Sequence, residues 1–430
     1  MWTARLLRIE KHHDFITRES GNPFGGGSKS RSMDSRLRGN EWLALGHKSG
    51  ILGHWDNNAF RGDLGAMSND KLTIKNFRVR AVNVPMKRPL ETASGSIGFV
   101  PLVLLDIETD QGITGRSYVF TLTSMALKPT AQLVQEMLSV VKGDGVAPYN
   151  IEQKLQKRFR LLGLQGLVYV ALSAIDMAAW DALAQARGAP LVKLLGGEVR
   201  PVKAYNSCGL GLMGQEKVAA QAVELLEGGF DAMKIRLGYA TVREDLEVVR
   251  AVRKAVGDNI TLMCDYNQGL TTTQALVRCR ALDGEGLHWI EEPILADDYA
   301  GNALIADDTK TPIQIGENFW GPHDMHKALA AKACDYAMPD LMRIGGVSGW
   351  MRSAAMADSA GMPMSSHLFP EVSAHLLAVT PTCHWLEYVD WAAPILVEPL
   401  VIKGGHAIIP DRPGNGMTWD EAAVSKYIAG

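Results

Sequence analysis

From about residue 200 the chain keeps one rhythm, and that rhythm limits its folds more than any other feature. A short apolar stretch ends in one or two polar residues, a helical pattern follows, and the unit repeats. The stretches read VKAYNS, DAMKIRL, ITLMCDYN, LHWIEEP, IQIGEN, DYAMPD, MPMSSH and HWLEY. Eight such strands with helices between most of them predict a β/α barrel. A doubly wound sheet would alternate in the same way, but no Gly-rich phosphate loop follows the first strand.

The polar residues fall at the C-terminal ends of these strands. They are Lys234 with Arg236, Asp265 with Asn267, Glu291 with Glu292, then Glu317, Asp340, His367 and Glu387. From Arg236 onward, taking Asp265 and Glu291 at their strands, the steps are 29, 26, 26, 23, 27 and 20 residues, each near one β/α unit. Polar residues at one phase of a repeating unit meet in space, and barrel enzymes place their chemistry at this end because the loops converge there.

Three carboxylates held together repel unless a cation sits among them. Asp265, Glu291 and Glu317 therefore read as hard oxygen ligands for Mg²⁺, with Mn²⁺ as a substitute. Taken singly, each would read as a helix cap or a surface acid. The even 26-residue steps select Glu291 over Glu292 as the ligand. His367 is the candidate general base, and Asp340 on the preceding strand the group that orients its ring. Glu387, among apolar neighbours, reads as a carboxyl held neutral that donates to a developing oxyanion. Lys234 and Arg236 share one strand face at the barrel mouth. Lys234 can hold a substrate carboxylate and offset enolate charge. A lysine two residues further could lose a proton there, whereas arginine stays protonated.

The net charge of −3 gives no nucleic-acid footprint, and no uninterrupted apolar run has the length of a membrane span. Cys208, Cys264, Cys279, Cys334 and Cys383 are odd in number and scattered, which fits a reducing cytoplasm. Residues 1–66 are rich in Gly, Ser, Arg and Asn and lack periodicity. They read as a disordered extension, or as a mis-assigned start with Met67 the true one. Residues 71–120 alternate as strands, with a hairpin at IETDQGITG, and 123–195 read as helices, together an α+β domain.

From about 71 to 428 the chain resembles the enolase superfamily, mandelate racemase subgroup. The likeness is dense in CDYNQGL, WIEEP, GENFWGPHDMHKAL, AMPDLMRIGGVSGW and MPMSSHLFPEVSAHLLAVTPTCHWLE. The resemblance implies an α/β fold: a modified (β/α)7β TIM-type barrel (199–391) under an α+β capping domain (67–198), with 392–430 returning to the cap. It implies one Mg²⁺ on Asp265, Glu291 and Glu317, and removal of the proton α to a carboxylate to give a metal-stabilised enolate. His367 with Asp340 would be one base, Glu387 the acid on the substrate carboxylate, Lys234 the neutralising cation, and Asn267 and Ser207 substrate contacts. Segment 89–99 matches the family's lid, here partly apolar through Leu90, Ala93, Ile97 and Phe99, with Val100 beside it. The implied partner is a small carboxylate, and the implied assembly a homo-oligomer.

One position departs from the family pattern of Lys-x-Lys. The second lysine, the base for the opposite face, is Arg236. Overall similarity places racemisation of a 2-hydroxy acid first. A single-base acid-sugar dehydratase is the alternative, and a non-catalytic carboxylate-binding relative a second one.

Overall fold

The computed structural model describes residues 71–429; the expectations for 1–66 lie outside them. Strands β1 (Ile74–Thr92) and β2 (Gly95–Thr109) form a long antiparallel hairpin, and β3 (Thr114–Phe120) adds to β2. Gly112, at φ 76°, makes the β2–β3 turn inside IETDQGITG. The β1–β2 register shifts between Pro85 and Leu90, and the stretch beyond it carries segment 89–99.

Helices α1 (Ser124–Val141), α2 (Pro148–Phe159) and α3 (Leu167–Ala186) follow, with α1 and α3 packed on the sheet. α3 is long and apolar enough to cross a membrane by length and composition, but most of its side chains are buried inside the fold. That is the pattern of a central core helix.

After a helical turn, α4 (Leu191–Leu194), the barrel runs in order. Its first units are β4 (Val202–Asn206), α5 (Gln215–Glu224), β5 (Ala232–Arg236), α6 (Val242–Val256), β6 (Thr261–Asp265) and α7 (Thr272–Leu282). Then come β7 (Ile290–Glu291), α8 (Tyr299–Asp308), β8 (Ile313–Ile315), α9 (Pro322–Ala331) and β9 (Tyr336–Ala337). Helices α10 (Leu341–Ile344), α11 (Gly346–Ala360) and α12 (Pro370–Ala378) precede β10 (Leu386–Tyr388). Thr241 with Glu244, and Thr271 with Gln274, form capping boxes that start α6 and α7 just past their strands.

Strands β4 to β9 pair in parallel, and β10 pairs with β4. The MPMSSH stretch closes the ring through single bridges, Met364 to Ala337 and to Cys383, and His367 to Asp340. The sequence predicts a full strand here. Pro363 and Pro339 lack the N–H groups that a continuous ladder needs. The chain ends in a hairpin, β11 (Val401–Lys403) and β12 (His406–Ile408), and in α13 (Glu421–Lys426). The tail returns to β1, where Asn83 N donates to Tyr427 O and Ala429 N to Ala81 O.

Candidate active site

The parallel register sets the site. It pairs Arg236 with Asp265 and Asp265 with Glu291, so these side chains leave the sheet at one level. One carboxylate oxygen from each of Asp265, Glu291 and Glu317 lies within 4.8 Å of the others, and all three residues are buried. Burial pushes the Glu291 carboxyl up to about 8; Lys234 opposes the shift and Asp265, Glu387 and Glu317 add to it. A buried, self-repelling set of hard oxygens fits Mg²⁺, which binds few protein carboxylates and keeps positions open.

Glu292 is not one of this set, though Glu317 lies near it. Asn318 Nδ2 donates to both of its oxygens at 3.0 Å and reaches Glu317 Oε1 at 3.3 Å. Glu292 thus holds Asn318, and Asn318 steadies Glu317. Arg343 steadies it from another side, donating through Nη1 to Glu317 O at 2.7 Å.

Lys234 is fully enclosed and joins both sides of the barrel. It pairs with Glu291, with Glu387 at 2.8 Å and with Asp265 at 3.4 Å. Arg236 has other work. Its Nη1 donates to Ser207 O and Gly209 O, both at 3.1 Å, and its Nη2 to Ser207 Oγ at 2.9 Å. Its Nε is buried without a hydrogen-bond partner, 4.0 Å from Asp265 Oδ2.

His367 Nδ1 lies 2.6 Å from Asp340 Oδ2, and Asp340 Oδ1 caps α10 by accepting from Met342 N at 2.7 Å. The cap fixes the carboxylate and the carboxylate fixes the ring. His367 Nε2 points to Glu317 Oε2 at 3.3 Å. Burial lowers the His367 pKa, but Glu317, Glu387 and Asp340 outweigh it and raise it to about 9. That is above the near-neutral value expected of a free base; a cation on Glu317 would remove the first of these raising contributions.

Glu387 departs from the expected neutral donor. It accepts from Ser207 Oγ at 2.7 Å, from Leu368 N at 2.9 Å and from Lys234. Burial pushes its pKa up, yet Lys234 above all, with His367 and Arg236, holds it well below the usual carboxylate range. Its apolar sequence neighbours hide a lysine reaching over from β5.

Asn267 has φ 44° and donates to Asp265 through its backbone N at 2.7 Å and its Nδ2 at 2.9 Å; its Oδ1 is buried without a partner. Lys234, Arg236, Asp265, Asn267, Glu317, His367 and Glu387 border a cavity of about 310 Å³. One wall is apolar, built from Leu90, Ile97, Phe120, Leu122, Leu368 and Trp391, and segment 89–99 forms part of the roof. Leu122, Asn267, Gln268 and Leu368, all cavity residues, hold positive φ, a strain that the surrounding fold imposes. Of the lining, the sequence reading passed over Gln268, Asn318, Arg343, Phe120, Leu122, Leu368 and Trp391. Gln268, Asn318 and Leu368, each next to a predicted site residue, and Arg343, one turn after Asp340, carried a positional hint; Phe120, Leu122 and Trp391 carried none.

A barrel whose successive strand ends supply three acids, a lysine and a His–Asp pair has the parts of a metal-assisted, proton-abstracting enzyme. Residues 74–196 match the mandelate racemase / muconate lactonizing enzyme N-terminal domain, and residues 217–423 the enolase C-terminal domain-like family. The chain belongs to the mandelate racemase / muconate lactonizing enzyme family of the enolase superfamily. A 3,6-anhydro-alpha-L-galactonate cycloisomerase of Streptomyces coelicolor is 30% identical over 83% of this chain and 100% of its own length. An L-talarate/galactarate dehydratase of Salmonella typhimurium is 35% identical over 61% of this chain and 66% of its own. An enolase from Bradyrhizobium, solved with magnesium and mandelic acid, is 43% identical with a TM-score of 0.80, over 84% of this chain and 99% of that one.

Proposed function

We propose that this protein is a Mg²⁺-dependent enzyme that removes the α-proton of a 2-hydroxy carboxylate with His367 as its single base, and that a β-hydroxyl is then lost. The observation that carries this reading is the commitment of Arg236 to Ser207 and Gly209. A guanidinium stays protonated, and one so held has no lone pair with which to take a second proton.

Asp265, Glu291 and Glu317 would hold the Mg²⁺, which would supply Lewis-acid stabilisation of the charge that develops on the substrate carboxylate. Lys234, fixed between Glu291 and Glu387, adds a positive charge for the substrate carboxylate, and Ser207 Oγ ties Glu387 to Arg236. The proton passes from the α-carbon to His367 Nε2, and the C–H electron pair becomes a C–C π bond as the β C–O bond breaks. His367 returns the proton to the departing hydroxyl, which leaves as water. The enol that remains tautomerises to a 2-oxo acid. Thr92, Ser94, Ser96, Asn267 and Gln268 border the cavity and offer partners to the other hydroxyls of an acid sugar.

A second reading, racemisation of a mandelate-type acid, is favoured by the apolar wall and by the mandelic acid in the Bradyrhizobium relative. It needs Arg236 to deliver a proton on the opposite face. A purely binding role leaves the 2.6 Å His367–Asp340 contact without a purpose. The five free thiols suit a cytoplasmic setting, and Leu161 and Leu162, largely exposed, suit cover by a second copy of the chain. Incubation with Mg²⁺ and a panel of acid sugars, with 2-oxo acids trapped as semicarbazones, tests the reading. Product that disappears in His367→Asn is expected. No product, with both mandelate enantiomers interconverted, would overturn it.

A further inference from the structure

Segment 89–99 does more than roof the cavity. At its tip, Ser94 Oγ donates to the backbone carbonyl of Asn267 at 2.5 Å. Glu91 O accepts from Leu212 N at 2.8 Å, a second tie between the hairpin and the barrel. Ala93 sits in a seat that only glycine leaves open. A Cβ on Gly238 would come within 2.9 Å of the Ala93 Cβ, and one on Gly269 would collide with it.

Asn267 is the residue that makes this contact chemical. Its carbonyl faces the hairpin while its N and Nδ2 both hold Asp265, at 2.7 and 2.9 Å. The left-handed backbone at φ 44° is what turns the carbonyl one way and the two donors the other. A hairpin that releases Ser94 frees the carbonyl and lets this strained residue relax, and both of its grips on Asp265 relax with it.

We propose that Ser94 is a positioning residue for the metal site: by holding Asn267 it fixes Asp265, so seating of the hairpin and Mg²⁺ binding strengthen each other. Coupling of this kind is reciprocal. The inference rests on the reading of Asp265 as a metal ligand, and adds to it the partner through which the hairpin acts.

The full chain is tested as wild type, Ser94→Ala and Gly269→Ala, with Mg²⁺ alone as the probe. Mg²⁺ affinity is measured by calorimetry, and amide hydrogen exchange of residues 90–98 is followed with and without the ion. Loss of one such hydrogen bond, transmitted in full, weakens binding by roughly two- to tenfold. Three results are expected together. Mg²⁺ slows exchange in the wild-type hairpin, Ser94→Ala weakens Mg²⁺ binding by that factor, and Gly269→Ala, which blocks the seat, weakens it too. A merely structural serine would speed hairpin exchange and leave Mg²⁺ affinity alone. That result, or a wild-type hairpin indifferent to Mg²⁺, would overturn the coupling while leaving the metal site standing. Wild-type protein that binds no Mg²⁺ would overturn the metal reading itself.

Discussion

Replacing Arg236 by lysine separates the two jobs this position could have. Lysine keeps the positive charge but offers one nitrogen where arginine offers a planar fork. The fork serves Ser207 O and Gly209 O at 3.1 Å and Ser207 Oγ at 2.9 Å, with Lys234 O further off at 3.4 Å. A single ammonium cannot serve two carbonyls and a hydroxyl from the positions of Nη1 and Nη2, so at least one acceptor loses its donor. A buried polar group left bare costs about 1–3 kcal/mol. Arg236→Lys is therefore expected to lower the free energy of unfolding by about 2 kcal/mol. Urea unfolding at matched pH reads this, provided the slope m is unchanged. A variant within about 0.5 kcal/mol of wild type, the range of an ordinary surface change, would refute the clamp. The lysine also supplies a nitrogen that can lose its proton. With mandelate as probe, α-proton exchange from the enantiomer that His367 does not serve should appear only in this variant.

His367→Asn should lower α-proton exchange by at least about 100-fold, the low end for a positioned general base, with an unchanged circular dichroism spectrum. Mg²⁺ at 100 times its dissociation constant should stabilise the wild type by about 2.7 kcal/mol in thermal unfolding, and Glu317→Gln should lose most of that gain. His375 tests burial away from the site: its Nδ1 accepts from Val192 N, its Nε2 faces Asn415 O, and burial pushes its pKa down to about 4. The unfolded chain then binds the extra proton first, so stability is lost as pH falls from about 6.5 to 4, by about 3 kcal/mol. His375→Gln should flatten that acid limb in urea titrations.

The barrel and the positions of its polar residues were legible because a β/α unit has a nearly fixed length. Asp265, Glu291 and Glu317 recur at that length, and the parallel register then brings them together. The steps also separate Glu291 from Glu292, whose side chain turns to Asn318. Charge states were less legible. Glu387 looks apolar in HWLEY, but its ionisation is set by Lys234 from a distant strand. The seventh strand shrank to bridges because proline removes donors that an apolar pattern cannot register. Leu122 and Trp391 reach the cavity only through tertiary packing, with no periodicity to announce them. Arg236 stood out in the sequence as a departure; that it grips two carbonyls is visible only in three dimensions.

Proton abstraction from one face of the substrate, by His367 alone, is the central feature of the proposed chemistry. Proton NMR in D₂O, with Mg²⁺ and each mandelate enantiomer supplied separately to the wild-type protein, tests it most directly. Loss of the α-proton signal from one enantiomer alone is expected, with none of the other formed. Loss from both would mean a second working base or acid opposite His367, and would contradict it.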